Sequence, residues 1–311
     1  MAERGPAPSD SGASARHRLA AVLFWLLPAV WSSNYLIARA AGPIVPPHIL
    51  AFGRWGIVCG VLLAMCLRSL RARPGRMRAE AGQMLVLGAL GMWICGAWVY
   101  LGGRSTTATN IGLIYAAAPI GIALGSQRLL GEHLGRAQHL AMAMALAGVL
   151  FVVARGDPAV LLAVRFTAGD LWIVAATASW IGYSLLLRRW PTRLNDVERL
   201  CGISAGGLAI LLPFAAWEWW ALPNGLDARA LGLIVLAGLL PGLFSYLAYG
   251  FLQRELGAAR AALVMYLAPI YGALLAWWLL DEPPQGYHVV GALLILPGMY
   301  VATRRPRRSP R

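Results

Sequence analysis

Apolar residues occur in long runs along this chain, and polar positions gather between them in short clusters of Arg, Pro and Gly. A helix that crosses a bilayer needs roughly 20 mainly apolar residues. Ten runs approach that length, at 19–38, 47–67, 82–102, 106–127, 136–154, 170–187, 199–217, 230–252, 260–280 and 286–303. The pattern predicts an all-α integral membrane protein with ten transmembrane helices joined by short loops. Residues 1–18 are polar and rich in Ala, Ser, Gly and Pro, which predicts a disordered tail. Residues 304–311 form a basic tail after the last run. The first run lacks a small-x-small cleavage site and continues into Trp31 and Tyr35, so it reads as a retained helix and not as a signal peptide.

The two halves of the chain repeat each other. Ala118-Pro119-Ile120 recurs as Ala268-Pro269-Ile270, and each copy goes on through two variable residues to Ala-Leu. Leu129, Leu130 and Glu132 recur as Leu279, Leu280 and Glu282, and Gly148 recurs as Gly298, all 150 residues apart. Trp31 matches Trp180, and Arg39 matches Arg188, at a separation of 149. Each unit then holds five helices, and an odd number makes the second copy enter the membrane from the opposite side. The expected architecture is two inverted five-helix repeats around a central cavity, an arrangement typical of secondary transporters.

Composition agrees with lipid as the solvent. Of 311 residues, 59% are hydrophobic and 13% charged, with a mean hydropathy of +0.63. A soluble domain of this length carries far more charge. The formal charge of +14 would suggest nucleic acid in a soluble protein, but here the basic residues lie between apolar runs and in the tails. No nucleic-acid partner is expected; the partners are the lipid bilayer and a small-molecule substrate, with the chain acting as a monomer. With the N-terminus cytoplasmic, the inside loops hold 13 Arg and the outside loops 5, so both termini are expected inside. All 27 basic residues are Arg. Without Lys there is no phosphate loop ending in Lys and no Schiff base, so ATP-driven transport by this chain and a bound retinal or pyridoxal phosphate drop out. Cys59, Cys66, Cys95 and Cys201 lie in apolar runs without zinc-ligand or CxxC spacing and read as packing residues. No cofactor and no metal site are expected.

The stretch Trp31-Ser32-Ser33-Asn34-Tyr35, the Pro46-Pro47 pair followed by Arg54, and the two Ala-Pro-Ile to Leu-x-Glu segments together resemble the drug/metabolite transporter superfamily, EamA type. The resemblance covers Leu19 to Thr303. It implies a first EamA-like repeat at 19–155 and a second, inverted one at 168–303. It also implies a central cavity, both termini in the cytoplasm of a bacterial inner membrane, and export of metabolites. Within the superfamily the chain is similar to bacterial exporters of aromatic amino acids.

Arg54 is the one Arg well inside a run, and it must face protein or water because Arg at a helix centre costs about 2.5 to 3.5 kcal/mol. It reads either as an anchor for a substrate carboxylate or as a structural group that snorkels or bonds freed carbonyls near Pro43 to Pro47. Aromatic and small polar residues recur at repeat-matched places: Trp31, Asn34 and Tyr35 against Trp180, Tyr183 and Ser184. Trp98, Tyr115, Ser245, Tyr246, Tyr249 and Tyr266 complete the candidate lining. Such a set suits flat or cationic solutes through stacking and cation–π contact, though for any one residue packing or an interfacial belt is the commoner role. Pro119 and Pro269 each remove a backbone donor and serve as gating hinges or as fixed bends.

A membrane enzyme is the rival from another class. The five His form no HExxH set, the runs lack paired carboxylates, and no nucleophile elbow is present. A passive channel is the second rival. The sequence therefore points to a secondary transporter, with aromatic amino acids or flat organic cations as candidate solutes.

Overall fold

The structure is a computed structural model that describes residues 10–221 and 225–303. Among these residues all regular structure is helical. Ten main segments follow one another: α1 (Asp10–Ala41), α2 (Pro47–Ala72), α3 (Ala81–Gly102), α4 (Ala108–Leu130), α5 (Arg136–Val153), α6 (Ala168–Arg189), α7 (Asp196–Trp220), α8 (Ala228–Leu256), α9 (Ala258–Leu279) and α10 (Gly286–Thr303). Among the described residues, nine are long and apolar enough to cross a membrane, and the apolar part of the tenth, Gly286–Val301, is shorter. One expectation is corrected. Helix α1 begins at Asp10, inside the stretch read as a disordered tail. The Ala and Arg of residues 13–20 are strong helix formers, and Arg16 Nε donates to Glu255 at 3.0 Å, which ties this extension to the end of α8. Residues 1–9 and 304–311 lie outside the described residues.

The repeat seen in the sequence is a repeat of contacts. Helix α2 packs on α7 and α5 on α10, each against its own repeat mate, while α1 packs on α8 and α9 as α6 packs on α3 and α4. At the α5–α10 crossing a Cβ on Gly148 would lie 2.9 Å from the Gly291 carbonyl, and one on Gly298 would lie 2.7 Å from the Ala141 carbonyl. Both glycines let backbone meet backbone, as in close-packed membrane helices.

Distortions repeat too. Helix α3 opens into a π turn at Ala89–Ile94 and α8 into one at Gly238–Phe244. In α8 the cause is visible, since Pro241 has no N–H to give the helical ladder. Helix α4 breaks at Ala117, and α9 tightens to a 3-10 turn at Leu263–Leu267. In both, the proline falls in the first turn of the half-helix that follows, where its missing N–H is tolerated.

Ion pairs fasten the two ends. At one end Arg188 Nε meets Glu132 Oε1 at 3.4 Å, and Glu132 Oε2 accepts the Ala259 N–H at 3.2 Å. At the other, Arg39 Nη1 meets Glu282 Oε1 at 3.3 Å. These pairs are images of each other under the repeat, and they sit at opposite ends of the bundle. The Glu132 end carries the turns richest in Arg; the Glu282 end carries exposed Trp217, Trp219, Trp220, Trp277 and Trp278.

Candidate functional site

A ladder of aromatic rings from α1, α2, α6 and α8 fills the middle of the bundle. Trp31 meets Trp180 edge-to-face at 5.3 Å and Tyr249 at 5.4 Å. Trp180 stacks on Tyr183 at 5.3 Å, Tyr183 reaches Tyr246 at 5.8 Å, and Tyr246 meets Trp55 edge-on at 4.7 Å. The structure places Trp31 and Trp180, matched positions of the two repeats, against each other. In this conformation, however, they touch, so no flat solute lies between them.

The π turns supply the polar fittings of the ladder. A π turn displaces carbonyls from the helical hydrogen-bond ladder, and the displaced ones occur in repeat-matched pairs. Ser179 Oγ donates to Leu90 O at 2.7 Å and Ser245 Oγ to Leu240 O at 3.2 Å. Tyr246 OH donates to Gly91 O at 3.1 Å, and Arg54 Nη2 to Pro241 O at 2.9 Å. Arg54 is therefore buried and engaged. It also donates to Asn34 Oδ1 at 3.3 Å and lies 5.0 Å from the Trp55 ring centre, while its Nε has no partner. The carbonyl that holds it belongs to the π turn of α8 and not to the Pro43 to Pro47 segment.

Two regions flank the ladder. Toward the Glu282 end lie Asn34, Tyr35 and Tyr100, with Tyr100 OH donating to Asn34 Oδ1 at 3.2 Å. Tyr35 is 51% exposed, and Tyr115, on α4, is half-buried. Toward the Glu132 end, a cavity of about 240 Å³ lies between α6, α7 and α8. Its floor is Tyr183 and Tyr246; its walls include Thr192, Arg199, Gly250 and Gln253, and Arg188, Asp196 and Arg254 stand at its mouth.

Three candidates fall elsewhere. Trp98 contacts Trp93 and Trp172, not Trp31 or Trp180, because the π turn at Ala89–Ile94 shifts the face presented by the residues that follow it. Tyr266 is buried and donates to Ala116 O at 3.3 Å, tying α9 to the break in α4. Ser245 is committed to its own π turn. Ser184 Oγ pairs with Tyr249 OH at 3.1 Å, and Gln253 Nε2 donates to the Ser184 carbonyl at 3.2 Å. Trp55, Arg199 and Gln253 belong to these regions without any mark in the sequence pattern. The repeat-matched aromatics drew attention to α1 and α6, and nothing in the spacing shows which span-end arginine faces a cavity. Among the described residues no group of three or more His, Cys, Asp or Glu is placed to hold a metal ion.

This architecture has counterparts. The EamA-like transporter family matches residues 18–154 and again 167–304. The chain belongs to that family. An uncharacterized transporter of Archaeoglobus fulgidus is 22% identical over 281 residues, covering 89% of this chain and 94% of its own length. The probable terminal-alkyne amino-acid exporter of Streptantibioticus cattleyicolor is 27% identical over 289 residues, with coverage of 89% and 94%. A protein of known crystal structure, 22% identical, superimposes with a TM-score of 0.72 over 91% of this chain and 97% of its own. At that identity the likeness speaks for the fold. As an EamA-like protein the chain is a multi-pass membrane transporter, and its two matched segments coincide with the two sets of mirrored contacts.

Proposed function

We propose that this EamA-like protein is a secondary carrier that exports small metabolites with an aromatic or large apolar side chain by alternating access, its Glu132 end facing the cytoplasm. The observation that carries the reading is the aromatic ladder between the two repeats, with a cavity on one side and a polar cluster on the other. A carrier needs a binding surface reachable from each side in turn, placed where two halves move against each other. Tyr183 and Tyr246 give the cavity such a floor, and ring pairs of this kind contribute about 0.5 to 1.5 kcal/mol each beyond area burial. The cavity's 240 Å³ lies below the roughly 300 to 1,000 Å³ of drug-sized sites, which favours solutes of amino-acid size. The Arg bias between the two ends supports the orientation. A relative named as an amino-acid exporter supports the solute class.

The test is counterflow in liposomes holding the purified chain. Vesicles loaded with unlabelled L-phenylalanine should transiently accumulate labelled L-phenylalanine, with saturation, and sucrose should not compete. Uptake that rises linearly with concentration and ignores the trans solute would make the protein a channel. Chemical change of the solute would make it an enzyme.

A further inference from the structure

From the charge arrangement around the cavity at the Glu132 end, we infer that Arg199 is the group that recognises the carboxylate of the transported solute, so that the carrier accepts carboxylic acids and amino acids and rejects amines lacking a carboxylate. The inference rests on the carrier reading above and deepens it.

Three guanidinium groups line this cavity, against one carboxylate. Two of the three are occupied. Arg188 pairs with Glu132, and Arg254 pairs with Asp196. Arg199 makes no ion pair among the described residues; its one hydrogen bond is from Nη2 to the Trp190 carbonyl at 3.2 Å. The Glu80 carboxylate makes no ion pair with it among the described residues and is engaged by Thr192 Oγ1 at 2.6 Å and the Arg193 N–H at 2.9 Å. Arg199 therefore offers most of a five-donor fork to a cavity, partly buried and in no ion pair among the described residues. Partial burial strengthens a charge-assisted bond relative to water, and the planar fork matches a carboxylate in two-point geometry.

Position adds a second argument. Arg199 is three residues into α7, at the level of the cavity wall, while Tyr183 and Tyr246 form the floor toward the middle of the bundle. A solute with its carboxylate on Arg199 directs its side chain at those rings. The opposite orientation would set an ammonium group among three arginines, which is repulsive. Arg54, by comparison, is closed off by Asn34, Pro241 and Trp55.

The experiment uses the full-length protein in detergent and measures binding of three probes that share one ring: L-phenylalanine, 3-phenylpropionate and 2-phenylethylamine. The two carboxylates should bind at least tenfold more tightly than the amine. Arg199→Gln should weaken both carboxylates about tenfold or more and leave the amine unchanged, and Arg199→Lys should restore part of the loss. Equal thermal midpoints for the unliganded variants separate recognition from folding. The inference is overturned if phenylethylamine binds as tightly as phenylalanine, if Arg199→Gln weakens all three alike, or if none of the three binds. Carboxylate-selective binding without counterflow would sink the carrier reading and leave the role of Arg199 standing. Counterflow of phenylethylamine as fast as that of phenylalanine would do the reverse.

Discussion

Arg54 and Arg199 show how the same side chain serves different ends according to what surrounds it. Arg54 is the arginine that hydropathy singles out, because it interrupts an apolar run. In three dimensions it ties α2 to α1 through Asn34 and to α8 through the Pro241 carbonyl. Arg199 is hidden from a sequence reading among several arginines at span ends, and only the distribution of carboxylates in space shows it unpaired. Trp31 and Trp180 were legible because the repeat places them in register; Trp98 was not, because a π turn alters the helical phase before it. Arg54→Gln should lower the thermal midpoint of the purified protein. It leaves a buried carbonyl without its donor, a loss of about 1 to 3 kcal/mol. Exchange of 3-phenylpropionate and of L-phenylalanine should fall in proportion to the loss of folded protein, with the affinity of the remaining carrier unchanged. Undiminished stability with weakened binding of both carboxylates would show instead that Arg54 contacts the solute.

The helices owe their lengths to hydropathy and their irregularities to a few residues. Pro119, Pro241 and Pro269 mark distortions that a sequence reader can anticipate, whereas the π turn at Ala89–Ile94 has no proline and no sequence signal of its own. The ends of α4 and α9 make a controlled comparison. Residue 131 is Gly with φ +66°, and its repeat mate Asp281 holds φ +54°, both in the left-handed region. Glycine adopts that conformation freely and other residues pay roughly 1 kcal/mol. Gly131→Ala should therefore lower the thermal midpoint, and Asp281→Gly should raise it, with counterflow retained in both. A fall in stability for Asp281→Gly would mean that its side chain contributes more than its backbone costs.

For the whole molecule, the five-helix repeat was legible from the pairs 150 residues apart, and the mirrored contacts of α2 with α7 and α5 with α10 follow from it. The cavity was not, since its walls come from α6, α7 and α8 and its shape depends on side chains no periodicity relates. The repeat also yields two equivalent closures, Glu132 with Arg188 at one end and Glu282 with Arg39 at the other. If the ends open in turn, each closure must part once per cycle. The decisive measurement joins them covalently, in a chain whose four native cysteines are replaced: Glu132→Cys with Arg188→Cys in one protein, Arg39→Cys with Glu282→Cys in another. Bridging either pair alone with a short, reducible bis-methanethiosulfonate should abolish counterflow, and reduction should restore it. Full counterflow with either end cross-linked would contradict it.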